Sequence, residues 1–135
     1  MDGIIFDVDG TLWDSVEVVA ESWNLAIKEN SDLEPNLNRE ILQGLFGKTM
    51  DEIAVGVFPD LDPDSRRKLM DICFDYENRY LETHPGVYYE GVMDTLKELA
   101  LEYPLFIVSN CQCGYIDVMM KGAGMEPYIK DFLCF

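Results

Sequence analysis

Asp7 and Asp9 stand one residue apart at the end of an apolar run, Ile4-Ile5-Phe6, and lead into Gly10-Thr11-Leu12. Carboxylates crowded at one point repel each other unless a cation neutralises them. A hard dication such as Mg2+ suits the position, because it prefers near-octahedral oxygen ligation from one or two carboxylates, water and substrate phosphate. The chemistry to expect here is therefore metal plus phosphate. An Asp-Gly turn closing a structural strand would account for Asp9-Gly10 alone, but not for two acids delivered by a buried strand.

Such a pair has to be presented by rigid elements. The apolar residues ahead of Asp7 read as a strand buried on both faces, and open α/β sheets place their chemistry just beyond the carboxyl ends of such strands. A second buried strand is expected over 104–108, ending at Ser109-Asn110, and Phe132-Leu133-Cys134-Phe135 reads as a third. Ser and Asn are ordinary strand-ending turn formers, so that exit is a weak signal alone.

Between the first two strands the period changes. Asp14-Ser15 supplies an N-cap, after which Val16, Val19, Ala20, Trp23, Ala26 and Ile27 recur at the spacing of one helical face. Asn30-Ser31-Asp32 breaks that helix, and a second is expected over 37–46, ending at Gly47. Thr49 with Glu52 forms a capping box for a third helix through Val57. Pro59 and Pro63 punctuate a turn before a long helix over 64–82, whose buried stripe is expected to be Leu69, Cys73, Tyr76 and Tyr80. His84-Pro85-Gly86 closes it. Tyr88 to Val92 then leads into a helix with Val92, Leu96, Leu99 and Ala100 on one face, and a further helix runs through Met125. The reading is an α/β fold, with residues 1–13 and 85–135 forming a parallel-sheet core and 14–84 an all-helical insertion.

The chain has 135 residues, 48% of them hydrophobic, enough for a real core. Its formal net charge of -16, from 26 acids against 10 Lys and Arg, disfavours a nucleic-acid partner, which needs a basic footprint. No run approaches the roughly 18 apolar residues of a membrane span, and no basic segment precedes an apolar stretch, so a cytoplasmic protein is expected. Cys73, Cys111, Cys113 and Cys134 are expected as reduced thiols. Cys111-Gln112-Cys113 lacks the second ligand pair of a zinc site, and the one histidine, His84, is far away in sequence. A serine-hydrolase triad has no recognisable flanks either.

The run Asp7-Val8-Asp9-Gly10-Thr11-Leu12 resembles motif I of the haloacid dehalogenase-like hydrolase superfamily, in six positions directly after a strand. The resemblance implies a Rossmann-like parallel sheet, with Asp7 as nucleophile and Asp9 as general acid and base. It implies that Mg2+ is held by the Asp7 carboxylate and the Asp9 carbonyl, and that Gly10 and Thr11 lie at the phosphate. Family members acting on carbon-halogen or carbon-phosphorus bonds generally lack the second aspartate, so Asp9 favours phosphate esters. Ser109-Asn110 resembles motif II, whose hydroxyl and backbone N–H donate to the transferring phosphoryl group.

The helical insertion is similar to the cap of the phosphoglycolate phosphatase and beta-phosphoglucomutase branch. By the same resemblance Gly44-Leu45-Phe46-Gly47-Lys48-Thr49 lies over the active site, with Lys48 and Thr49 as candidate substrate contacts. A mutase usually carries an arginine shortly after this glycine, near where Met50 stands. The expected function is Mg2+-dependent hydrolysis of a small phosphorylated metabolite through an aspartyl-phosphate, with a sugar phosphomutase as the alternative. The resemblance covers only the first two-thirds or so of a typical member. Neither the motif III lysine nor the motif IV acids can be found, since Lys121 and Lys130 both precede the third strand. A truncated form is therefore expected, either an inactive fragment or one of little activity, that self-associates through an exposed sheet edge.

Overall fold

The computed structural model describes residues 2–134. In chain order its elements are β1 (Ile4–Phe6), β2 (Trp13–Asp14), α1 (Val16–Asn30), α2 (Arg39–Gln43), α3 (Met50–Val57), α4 (Pro63–Thr83), β3 (Val87–Tyr88), α5 (Val92–Ala100), β4 (Leu105–Ser109), α6 (Tyr115–Ala123) and β5 (Asp131–Cys134), with a 3-10 turn over Glu126–Tyr128 before β5. The strands β1, β4 and β5 form a parallel sheet in the order β1-β4-β5, an incomplete version of an α/β sheet. Parallel neighbours need long crossovers. Helix α6 supplies the one between β4 and β5, and the whole stretch from β2 to α5 lies in the one between β1 and β4.

Local chemistry accounts for the helix boundaries. Thr49 Oγ1 accepts the Glu52 N–H at 3.3 Å while Glu52 Oε2 accepts the Thr49 N–H at 3.0 Å, closing the expected capping box on α3. Asp62 caps α4 by accepting the Ser65 N–H at 3.0 Å, with Pro63 at the first helical position. Helix α2 is shorter than its sequence suggests. Leu37 is tied to Asn24 by two hydrogen bonds of 2.9 Å, which holds it outside the helix, and Asn38 caps the first turn through the Ile41 N–H.

Two hydrophobic clusters result. One joins α1 through α4 around Trp23, Leu42, Ile53, Met70 and Phe74; the other joins the sheet to α5 and α6 around Trp13, Leu96, Ile107, Ile116 and Met119. The buried stripe of α4 is Leu69, Met70, Cys73, Phe74, Glu77 and Leu81. Tyr76 and Tyr80 sit at its margin instead, because their hydroxyls donate to Glu29 and Glu21 of α1 at 2.6 and 3.2 Å. A two-stranded antiparallel ribbon, Trp13 opposite Tyr88, ties the start of the helical stretch to its end. Gly86 permits it: a Cβ there would lie 2.8 Å from Trp13 Cε3 and 2.9 Å from the Asp14 carbonyl oxygen.

Two expectations are corrected. Cys113 and Cys134 are joined in a disulfide, with Cα atoms 5.8 Å apart, while Cys73 and Cys111 are free and buried. The partners are 21 residues apart in sequence and meet because β5 returns beside β4, placing Cys134 level with Ser109. The strand β1 is not buried on both faces. The register puts Ile5, Phe106, Val108 and Leu133 on one side of the sheet, where Ile5 is 67% and Leu133 53% exposed. Leu105 and Ile107, on the other side, are sealed against the helices. Among the described residues β1 is an edge strand, with no strand beyond it on the flank of Ile5. Among the described residues, no helix is long and apolar enough to cross a membrane.

The two faces should respond differently to substitution. Ile107→Ala is expected to cost about 2–5 kcal/mol by opening a cavity. Ile5→Thr should stay within about 1 kcal/mol, as for a surface site. Urea midpoints of the two variants check this; equal losses would mean that Ile5 is covered in solution.

Candidate active site

The in-register parallel pairing of β1 with β4, Phe6 beside Ile107, makes both strands end at the same level. Asp7 and Asp9 therefore emerge next to Ser109 and Asn110, and all four line one cavity of about 490 Å3. The chain after Val8 curls back on itself. Its carbonyl accepts the N–H groups of Thr11 and Leu12 at 3.1 and 2.9 Å, Gly10 takes the left-handed conformation with φ 76°, and its N–H reaches the Trp13 carbonyl at 3.0 Å. This turn leaves Asp7 exposed and draws Asp9 inward. Gly10 lines the cavity; Thr11 is exposed and lies outside it.

Asp9 is the most constrained group in the site. Its Oδ1 accepts the hydroxyl of Tyr115, the first residue of α6. The Tyr115 oxygen in turn accepts the Trp13 indole N–H at 3.1 Å and lies 2.7 Å from Ser15 Oγ. Trp13, Ser15 and Tyr115 are all buried. A tyrosine hydroxyl has one proton and two lone pairs. Donating to Asp9 while accepting from Trp13 and Ser15 uses them all. Burial pushes the Asp9 carboxyl up to about 6 against the pull of the Tyr115 hydrogen bond, and the neighbouring charge of Asp7 adds to the rise. Tyr115 was not legible as a site residue, because it lies 106 positions away and carries no motif.

Across the cavity the helical layer contributes Arg39 and Gln43 from α2 and Phe46 and Gly47 from the loop after it. Lys48 and Thr49 do not line the cavity, and Thr49 is committed to capping α3. Asn110 Nδ2 donates to the Gly47 carbonyl at 3.1 Å, joining the exit of β4 to that loop. A second set of contacts lies deeper. Gln112 donates to Glu77 and to Asn78 Oδ1 on α4, and Asn78 Nδ2 donates to the Cys113 carbonyl at 3.1 Å. The loop from Asn110 to Cys113 is thus clasped from both sides by the helical layer.

The family model for haloacid dehalogenase-like hydrolases matches residues 4–134. Solved structures share the fold across the whole chain. A predicted phosphoglycolate phosphatase from Haemophilus somnus superposes with a TM-score of 0.85 at 22% identity, over 99% of this chain and 62% of that one. CbbY from Rhodobacter sphaeroides, solved with xylulose 1,5-bisphosphate, gives 0.77 at 14% identity over 99% and 63%. The hydrolase YfnB from Bacillus subtilis, solved bound to magnesium, gives 0.65 at 24% identity over 98% and 64%. The chain thus spans a little over three-fifths of these relatives. No curated protein is a significant match to the sequence.

Glu77 is 3% exposed, and its burial, with the charge of Asp9 beyond it, holds its carboxyl well above the ordinary value of 4.5. An acid raised by folding contributes its full stability only below its unfolded pKa, and that contribution is lost as pH rises toward the folded value. Glu77→Gln keeps an acceptor for Gln112 and removes the titration. It should match the wild type below pH 4.5 and be the more stable of the two at pH 8. Thermal unfolding at the two pH values measures the difference; a variant less stable at pH 8 would show that the ionised form is the one the fold favours.

Proposed function

This chain belongs to the haloacid dehalogenase-like hydrolase family, and we propose that it carries the nucleophile, the acid and the phosphate cradle of a Mg2+-dependent phosphatase acting on a small phosphorylated metabolite. The observation that carries the reading is the meeting of Asp7, Asp9, Ser109 and Asn110 on one cavity, with Asp9 locked by Tyr115. In the proposed reaction the exposed Asp7 carboxylate attacks phosphorus, and the bond to the leaving oxygen breaks. Asp9 gives that oxygen its proton. A water then attacks the aspartyl-phosphate while Asp9 takes a proton back, which regenerates Asp7 and releases inorganic phosphate.

The hydrogen bonds of Asp9 support this division of labour. With Oδ1 occupied as an acceptor of the Tyr115 hydroxyl, the transferable proton belongs on Oδ2. A carboxyl near pH 6 can both give and take a proton at neutral pH. The Ser109 hydroxyl and the Asn110 N–H would face the charge that develops on the phosphoryl oxygens.

The donor set fits Mg2+. Asp7, Asp9 and Asp14 line the cavity against Arg39, the one cationic side chain among the described residues that line it, an excess of negative charge that a dication balances. Among the described residues no three His, Cys, Asp or Glu side chains gather as a metal cage. The Asp7 carboxylate and the Asp9 carbonyl would hold the ion, and when bound it supplies the positive charge that lets a phosphate dianion approach Asp7.

The helices over the site support a cap that excludes water and shapes the leaving-group end. In a form extended to the length of its structural relatives, with Mg2+ and an aryl phosphate, Asp7→Asn is expected to lower kcat by about 10³-fold or more, as loss of a nucleophile does elsewhere. Steady-state release of inorganic phosphate measures it, and retention of most activity would remove the covalent mechanism.

A further inference from the structure

The side of the cavity that α2 lines has a definite charge pattern. Arg39 is the one cationic residue among the described residues that line it. Its guanidinium is already engaged: Nη1 lies 3.0 Å from Asp14 Oδ2, and Nε lies 3.2 Å from Glu17 Oε1. Asp14 is itself fixed, since its Oδ1 accepts the Val16 N–H at 3.1 Å at the start of α1. The three side chains sum to one net negative charge. Beside them stand the Gln43 amide and the rings of Phe46 and Tyr89. Lys48, the other nearby cation in sequence, does not reach the cavity.

Resting on the phosphatase reading, we propose that this subsite takes an uncharged, hydroxyl-bearing leaving group, as in a sugar or polyol phosphate, and that the Asp14–Arg39–Glu17 trio turns away substrates with a second anion. An arginine has five N–H donors, and two are used here. The rest can donate to hydroxyl oxygens, and the Asp14 carboxylate can accept from hydroxyl hydrogens, with no change in charge. Aromatic side chains beside such a polar set suit the C–H groups of a sugar. A carboxylate or a second phosphate meets different conditions. It meets a guanidinium whose charge two carboxylates already offset, so the trio presents one net negative charge to a second anion, in a protein of net charge -16. Exclusion by an uncompensated charge is a common route to selectivity, because the wrong ligand loses more than the right one gains. The reading runs against the substrate in the name of one structurally similar protein, a predicted phosphoglycolate phosphatase, and against the sugar bisphosphate bound to another, each of which carries a second anion.

The test is calorimetric titration of the whole chain, with Mg2+ present and ionic strength constant, using inorganic phosphate, glucose 6-phosphate and phosphoglycolate as probes. Glucose 6-phosphate is expected to bind at least about tenfold more tightly than phosphoglycolate, a difference worth about 1.4 kcal/mol. Glu17→Gln, at a largely exposed position, and the double variant with Asp14→Asn release Arg39 step by step. Each should narrow the gap, the double variant by about tenfold in favour of phosphoglycolate. Equal or tighter binding of phosphoglycolate by the wild type overturns the proposal, as does an unchanged gap in both variants. If inorganic phosphate binds but glucose 6-phosphate is no better than phosphoglycolate, the subsite assignment falls and the phosphatase reading stands. If none of the three binds, inorganic phosphate included, both fall.

Discussion

The parallel register between β1 and β4 is the constraint on which the site depends. Asp7 and Ser109 are about a hundred residues apart in sequence, and only the alignment of Ile4 with Leu105 and Phe6 with Ile107 brings their strands to a common end. A slip of one residue would turn Ile107 from the sealed face to the open one and rotate Ser109 away from the cavity. The apolar cluster beneath the sheet therefore sets the register, and the register sets the site. Packing energy and catalytic geometry are linked through the same few side chains, Leu105, Ile107 and their contacts on α5 and α6.

The features that could be read from sequence were those whose cause is local. The capping box at Thr49 and Glu52, the beginning of a long helix just after the Pro59–Pro63 turn and the pair of acids leaving an apolar strand all involve residues within a turn or so of each other. What could not be read depends on contacts between distant segments. Tyr115 reaches Asp9 across 106 positions, and nothing about a tyrosine after a glycine announces such a role. Arg39 belongs to no motif, and its place beside Asp14 and Glu17 depends on α2 folding against the start of α1. The Cys113–Cys134 bond needs β5 to lie beside β4 before it can be drawn. Burial on both faces was expected of β1 because apolar composition does not say whether a strand is central or at an edge.

The seam between the helical layer and the sheet gathers groups that would be costly alone. Asp9 from the sheet side and Glu77 from α4 are both raised by burial, and the charge of Asp9 adds to the rise of Glu77. Gln112 and Tyr115 supply the hydrogen bonds that make their burial tolerable. Purely apolar residues would pack this seam with less electrostatic cost. The polar set instead gives the seam a fixed geometry, since each hydroxyl and amide has few alternative partners. A helical layer that moved off the sheet would expose Glu77 and free the loop from Asn110 to Cys113 together.

The chain has two tryptophans, and each hydrophobic cluster holds one. Trp23 stacks edge-on against Phe74 inside the helical cluster, whereas Trp13 packs beside Tyr88 and Tyr115 and donates its indole proton into the network that holds Asp9. The indoles thus differ in one spectroscopically visible respect: Trp13 has a hydrogen-bonded N–H, and the buried Trp23 Nε1 has no partner among the described residues. The protein therefore contains two native optical probes in different electrostatic surroundings, one reporting on the helical layer and the other on the acid at the centre of the site.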